Sequence, residues 1–324
     1  GRQNRNRFNK EDLIVKYTDR PLQRHCWAPE GIALEQDGKV TPLNVKYEFL
    51  PSENIPDFPY NQVETEVWDM IPSLKNVTPA EGVTVVEDMP QVEFVDSDKA
   101  GWYRIVLDGT CSVQASDEDG AWYAQVTLEN LKRNAGGNEI PNMVIEDWPD
   151  LGYRGFMLDI SRNFTTKDNI LRFIDLLAHY KVNVFHLHFG DDEGWRVEIE
   201  KFPELTTFGA YHEFPYKNED GEYVEENYLM PSYNGGMDPE DMSSSANGHL
   251  TKEDYIEILK YAWERRISVI PEFDTPGHSR AAIKAMDAYS ERVGNDEFRL
   301  SDPEDRSEYC SVQYYKDNAL NVAM

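Results

Sequence analysis

The sequence predicts an α/β fold: a small α+β unit followed by strand–helix repeats of parallel type. Three observations predict it. Residues 182–189 (VNVFHLHF) form an apolar, β-branched run of the kind a strand buried on both faces requires. From residue 151 onward, runs of this sort (GFMLDI, VNVFHLHF, ISVIPEFD) alternate with segments of helical period, giving three βα units. Residues 70–134 read differently, as several short strands and a hairpin before a single helix.

Taken in order, residues 1–68 are predicted to be irregular and β-containing, with half-buried alternation at 13–17 and 43–50. Residues 69–150 form the small α+β domain with its linker. There IPSLKNVTPAEG reads as a loop, and GVTVVED and QVEFVD read as short strands. WYRIVLD and CSVQA flank the tight turn Gly109-Thr110. Ser116 followed by Asp117, Glu118 and Asp119 starts a helix with acids in its first turn, and Tyr123, Val126 and Leu131 supply its apolar stripe. AGGNEIPNMVIEDWPD is read as the linker. Residues 151–324 hold the βα units: Thr165 or Thr166 caps a helix carrying Ile170, Phe173, Ile174 and Leu177 on one face, and Thr251 starts another. The connection from 194 to 250, rich in Tyr, Asn, Gly and Ser, far exceeds the ~12–15 residues of a passive loop and is expected to be functional.

The strand at 182–189 ends abruptly in Gly190, Asp191, Asp192, Glu193, Gly194, Trp195 and Arg196. An apolar strand delivering acids, an indole and a guanidinium at its carboxyl end is how parallel α/β folds build active sites. Carboxylates accept hydrogen bonds from hydroxyls, and an indole face covers the C–H face of a pyranose, so sugar chemistry is expected. The plain alternative is a solvated acidic turn.

Composition bounds the partners. The chain has 324 residues, 40% hydrophobic, with seven Trp and eighteen Tyr, which is the make-up of a globular protein with room for two cored domains. A net charge of −28 argues against nucleic acid and anionic membrane surfaces. No apolar run reaches the ~20 residues of a membrane span. Cys26, Cys111 and Cys310 are scattered, without metal-ligand spacing, and are expected to be small buried residues. The first residues, GRQNRNRFNKEDL, lack the apolar core of a signal peptide.

Three ordered blocks, YRGFMLDISRNF, HLHFGDDEGWRVEIEKFPELT and IPEFDTPGHSRAA, resemble glycoside hydrolase family 20, the β-N-acetylhexosaminidase and chitobiase family. AWYAQVTLENL with IEDWPD resembles the end of that family's small domain. The resemblance covers residues 70–290. It implies a TIM-type (β/α)8 barrel, of which this chain carries the first part, behind the small α+β domain. It implies removal of terminal β-linked N-acetylglucosamine or N-acetylgalactosamine from an oligosaccharide or glycan. No cofactor and no metal is implied, and an extracellular, periplasmic or cell-surface setting is expected.

By the resemblance, Arg154 holds hydroxyls of the terminal sugar, and Asp191 and Asp192 are paired acids beside the sugar or supporting the catalytic acid. His278 supports the site from the third strand, while Trp195 and Glu272 are candidates for substrate contact. Asp159 and Arg162 are expected to form a salt bridge at the bottom or rim of the barrel. In the family the substrate's own 2-acetamido group attacks the anomeric carbon, an exception to the two-carboxylate scheme. A consecutive Asp-Glu pair on the fourth strand protonates the leaving oxygen and orients the acetamido group. No such block follows His278. Asp192-Glu193 lies in the second-strand block and Asp296-Glu297 in a loop-like stretch. The catalytic pair is therefore expected beyond Met324, and these residues alone are expected to be inactive, with the rest of the barrel supplied by a second chain or the open edge covered by self-association.

Two rivals stand beside this. His186 and His188 alternate on one strand face near Asp191, a possible ligand set for a metal-dependent hydrolase, against the simpler view of satisfied core histidines. The other is a sugar-binding protein on the same fold that has lost its acid. The family resemblance leads to the expectation that Arg154, Asp191 and His278 converge at the carboxyl ends of their strands.

Overall fold

The computed structural model describes residues 65–210 and 247–302, residues 304, 306, 315 and 317–320, and the backbone of two strands before them. The chain falls into two units, Gly1–Thr65 and Glu66–Met324. In the first, β1 (Ala33–Gln36) and β2 (Lys39–Pro42) pair antiparallel, with Gln36 opposite Lys39. The strands expected at 13–17 and 43–50 lie outside the described residues, as do Cys26 and Cys310.

The second unit opens with a five-stranded sheet. Its strands are β3 (Asn76–Val85), β4 (Val92–Phe94), β5 (Tyr103–Leu107), β6 (Cys111–Ala115) and, after helix α1 (Glu118–Ala135), β7 (Glu139–Asp147). Their order in the sheet is β3-β7-β5-β6-β4. Two expectations are corrected here. The stretch read as a loop, NVTPAEG, belongs to β3, where a register shift between Pro79 and Val83 absorbs Pro79 and Gly82. The stretch read as a linker contains β7, which pairs with β3 on one side and β5 on the other. Pro141 and Asn142 break the apolar alternation of EIPNMVIED, yet Ile140, Met143 and Ile145 are fully buried.

Helix α1 begins at Asp117, whose carboxylate accepts from the Gly120 amide, and ends at Gly136 in the left-handed region with φ 73°. Ala124, Leu128 and Leu131 on its inner face close over Tyr103, Ile105, Leu107 and Val113 of the sheet. Burying each of the larger apolar side chains contributes about 1.5–3 kcal/mol, so this layer is a core in its own right.

Next come β8 (Gly155–Asp159), α2 (Lys167–His179), β9 (Val184–Gly190), the short α3 (Glu204–Thr207), α4 (Lys252–Glu264), β10 (Ser268–Phe273) and α5 (Arg280–Val293). All three strands are parallel, in the order β10-β9-β8, and the sheet is open. Phe185, Leu187 and Phe189 alternate along β9 into a core shared with Ile170, Ile174 and Leu177 of α2 and Ile258 and Ala262 of α4. The intervening His186 and His188 take the other face, as period two demands. At the start of α4, Thr251 accepts from the Asp254 amide while Asp254 accepts from the Thr251 amide, a reciprocal capping box.

The α+β layer and the βα units pack as one body. Lys181, buried just before β9, donates through Nζ to Tyr103 Oη (2.7 Å) and Asp147 Oδ2 (3.2 Å). Arg266 pairs with Glu118 (2.9 Å) and Asp119 (2.6 Å) at the start of α1.

Candidate active site

Parallel strands deliver their carboxyl ends to one edge, and three successive βα units place polar side chains there. Asp159, Ser161 and Arg162 come from the end of β8, Asp191, Asp192 and Glu193 from the end of β9, and Glu272, Asp274 and His278 from β10 and the turn after it. Gly190 permits the tight exit from β9: a Cβ there would lie 3.1 Å from the Trp195 ring and 3.2 Å from Phe273. The turn is tied back by Asp191 N–H to the Gly194 carbonyl (3.1 Å) and Ser161 Oγ to the same oxygen (2.7 Å).

Arg162 is the hub. Its Nη1 meets Asp159 Oδ2 at 2.7 Å, its Nη2 meets Asp191 Oδ2 at 2.5 Å, and its Nε lies 3.2 Å from Glu193 Oε2. About a third of the Arg162 side chain stays exposed, whereas that of Asp191 is wholly buried. Asp191 Oδ1 accepts from the Asp192 amide (2.7 Å) and sits 3.1 Å from His278 Nδ1. Burial pushes the Asp191 carboxyl up, but His188, the Asp192 amide, Arg162 and His278 together hold it below its ordinary range. It is an ionised carboxylate whose lone pairs are all engaged.

Its two neighbours differ. Asp192 accepts from Asn318 Nδ2 (2.9 Å) and the Arg280 amide (3.2 Å), and burial still raises its pKa. Glu193 is pushed up to about 7 by burial, opposed by Arg162 and reinforced by Asp191 and Asp192. His278 has φ 56°, a left-handed conformation; Lys181 and Arg266, the other such non-glycine residues described, each follow a helix, and His278 does not. That backbone costs ~1–3 kcal/mol and turns the ring onto Asp191.

Beneath this layer, His188 Nε2 lies 3.1 Å from Asp191 Oδ2 and its Nδ1 lies 2.9 Å from Glu272 Oε2; His186 Nε2 reaches the same Glu272 oxygen at 2.9 Å. Burial would lower the His188 pKa, but contacts to Asp191 and Glu272 raise it to about 9.

The structure therefore brings Asp191, Asp192, His278 and Glu272 into one connected group. Trp195 adjoins it, but its ring stacks on Phe273 (4.7 Å between centroids) and its N–H is committed to the Val197 carbonyl (2.7 Å). Arg154 does not join them. It immediately precedes β8, so it sits at the amino end of the strand, about 16 Å of strand away from Asp159. There it donates to the Lys181 and Leu151 carbonyls (2.8 and 2.6 Å) and to Tyr123 Oη (2.5 Å), fastening α1 to the sheet. The expected convergence of Arg154 with Asp191 and His278 is corrected: the guanidinium at the carboxyl edge belongs to Arg162. Strand polarity alone distinguishes the two arginines that flank GFMLDI. His188 reads from sequence only as a metal ligand or a core histidine, and Glu193 only as one of the acids at the strand end; Asp274 and Asn318 are not singled out, and Asn318 carries no local signal, being 126 residues from its partner Asp192.

Two groups have donor atoms within 4.8 Å of one another: His188, Glu272 and Asp274, and Asp191, Asp192 and His278. Inside them His188 Nδ1 lies 2.9 Å from Glu272 and His278 Nδ1 lies 3.1 Å from Asp191, so in this arrangement the groups contact one another directly. A cavity of about 340 Å³ lined by Trp68, Met70, Ile71 and Leu74 lies in the α+β layer and holds none of this chemistry.

Comparison with known proteins gives a consistent picture. Residues 151–324 match the catalytic domain of glycosyl hydrolase family 20, and residues 63–148 match domain 2 of that family. The chain is 39% identical over 259 residues to an N,N'-diacetylchitobiase of Vibrio harveyi, covering 75% of this chain and 28% of that protein. It is 41% identical over 239 residues to a beta-hexosaminidase of Vibrio vulnificus, covering 70% of this chain and 27% of that one. Among solved structures it resembles a GH20 exo beta-N-acetylglucosaminidase from Vibrio harveyi in complex with N-acetylglucosamine. That match has a TM-score of 0.63 and 27% identity, over 89% of this chain and 48% of the other. The chain thus spans about a quarter of the length of these curated relatives.

Proposed function

We propose that this chain, which belongs to glycosyl hydrolase family 20, forms part of a glycoside hydrolase that removes terminal β-linked N-acetylhexosamine from oligosaccharides or glycans. The observation that carries the proposal is Arg162: a partly exposed guanidinium at the carboxyl edge, braced by three carboxylates, one of which, Asp191, it shares with His278. Its fork of donors suits adjacent hydroxyls of a terminal sugar, the task assigned from sequence to Arg154. Asp191, fixed as a carboxylate, orients Arg162 on one side and His278 on the other. A rigid, charged edge of this kind binds a neutral sugar through hydrogen bonds that need no rearrangement on binding.

In this scheme the 2-acetamido group of the substrate attacks the anomeric carbon, and a carboxylic acid protonates the leaving oxygen. Asp192 is occupied by Asn318 and the Arg280 amide, and Glu193 by Arg162, so that pair does not serve as the acid. The acid is assigned to a residue outside these 324, on a barrel strand that continues the sheet beyond β10. By the same reasoning β8, β9 and β10 are the first strands of a (β/α)8 barrel. The remaining strands come from further polypeptide, or the open edge is covered by self-association. An extracellular, periplasmic or cell-surface setting goes with such substrates.

A chromogenic β-N-acetylglucosaminide, assayed beside the β-glucoside that lacks the acetamido group, tests this in the polypeptide that carries the chain. Turnover of the first and not the second is expected. Equal turnover of both contradicts acetamido participation, and sugar binding without turnover favours a non-catalytic carbohydrate-binding protein.

A further inference from the structure

We propose that His188 is a positioning residue, held as an imidazolium between Glu272 and Asp191, and that it fixes the Asp191 carboxylate on which Arg162 and His278 are aligned. This rests on the functional assignment above and extends it one layer beneath the sugar-facing edge. The geometry is specific. His188 is 2% exposed, and its two ring nitrogens lie against two different carboxylates: Nε2 is hydrogen-bonded to Asp191 (3.1 Å), and Nδ1 stands 2.9 Å from Glu272 Oε2, within ion-pair distance but out of line for a hydrogen bond. A neutral imidazole has one N–H and leaves its other nitrogen as a lone pair; only the cation presents an N–H on both sides of the ring. Facing a neutral ring, either Asp191 Oδ2 or the shielded Oε2 of the partly exposed Glu272 would meet a nitrogen lone pair.

The charged groups around the ring agree. On the same strand stands His186, in the turn after it Asp191, and on β10 and its exit Glu272 and Asp274. Asp159 contributes negative charge from β8. The electrostatics favour the cation in the same sense, with contacts to both carboxylates outweighing burial.

The consequence falls on Asp191. Its Oδ2 is shared by His188 from below and Arg162 (2.5 Å) from above, while Oδ1 receives the Asp192 amide and His278. Removing His188 leaves Oδ2 held from one side only, so the carboxylate can rotate toward Arg162 and draw that guanidinium inward from the edge. Sugar binding then weakens although His188 touches no sugar.

The test combines nitrogen NMR of the imidazole with calorimetry, using the full polypeptide and N-acetylglucosamine as probe. The His188 ring, assigned by its loss in His188→Gln, is expected to carry the doubly protonated signature at pH 7, and Glu272→Gln is expected to shift its titration to lower pH. A neutral ring at pH 7, or a titration unmoved in Glu272→Gln, overturns the proposal. His188→Leu is expected to weaken sugar binding about tenfold or more, the loss of one charge-assisted hydrogen bond, while His188→Gln, which keeps a donor toward Asp191, recovers most of it. Equal affinity in His188→Leu and the unsubstituted protein, with circular dichroism unchanged, also overturns it. Should His188→Leu not fold, the NMR of the unsubstituted and Glu272→Gln proteins decides. If the unsubstituted protein binds no sugar, the functional assignment fails, and the NMR alone decides the charge of His188.

Discussion

Glu193 shows how one residue at the edge reports its own surroundings. Its carboxyl is driven up to about 7 from an ordinary 4.5, by burial first and by Asp191 and Asp192 after it. A group that holds its proton more tightly when folded contributes stability that is full below about 4.5 and is lost as pH rises through about 7. The urea midpoint of the native protein minus that of Glu193→Gln should therefore decline across this window. A flat difference means that Glu193 is solvated in solution. At this scale the sequence was only partly legible. Asp191, Asp192 and His278 follow from strand ends and one block of residues. The unlike environments of Asp191 and Glu193, two positions apart, depend on Arg162, His188 and His278, which arrive from three different segments. Neighbours in space, not in sequence, decide which carboxylate is ionised.

At the level of elements, helices were the clearer signal. Thr251 announced α4 through its position before TKEDYIEILKYAWERR, and the capping box with Asp254 is the physical reason that signal exists. Thr251→Ala leaves the Asp254 amide without its acceptor. Stability should fall by about 1 kcal/mol, read from urea unfolding; an unchanged midpoint would show that the cap adds nothing to what Ile258 and Ala262 already supply. Strands were harder where proline interrupted them. The run EIPNMVIED reads as linker because Pro141 and Asn142 spoil its period, yet it forms β7 between β3 and β5. Its pairing is decided by strands more than thirty residues away, Leu107 to Met143 among them. Local pattern cannot carry that information.

Across the whole second unit, the parallel sheet has a polarity that separates mechanics from chemistry. At the amino edge, Arg154, Lys181 and Arg266 join the α+β layer to the βα units through Tyr123, Asp147, Tyr103, Glu118 and Asp119. At the carboxyl edge, Arg162, Asp191 and His278 form the braced cluster assigned to the sugar. The two arginines flank a single five-residue strand, and choosing between them is the point on which the assignment turns. Titration calorimetry with an N-acetylglucosamine-type inhibitor, on the full polypeptide and on Arg162→Ala and Arg154→Ala, tests it directly. The account predicts that Arg162→Ala loses about 1.5–3 kcal/mol of binding, one charge-assisted bond to a hydroxyl, while Arg154→Ala leaves affinity unchanged. Full affinity in Arg162→Ala, or a loss confined to Arg154→Ala, would contradict it and return the sugar to the opposite edge.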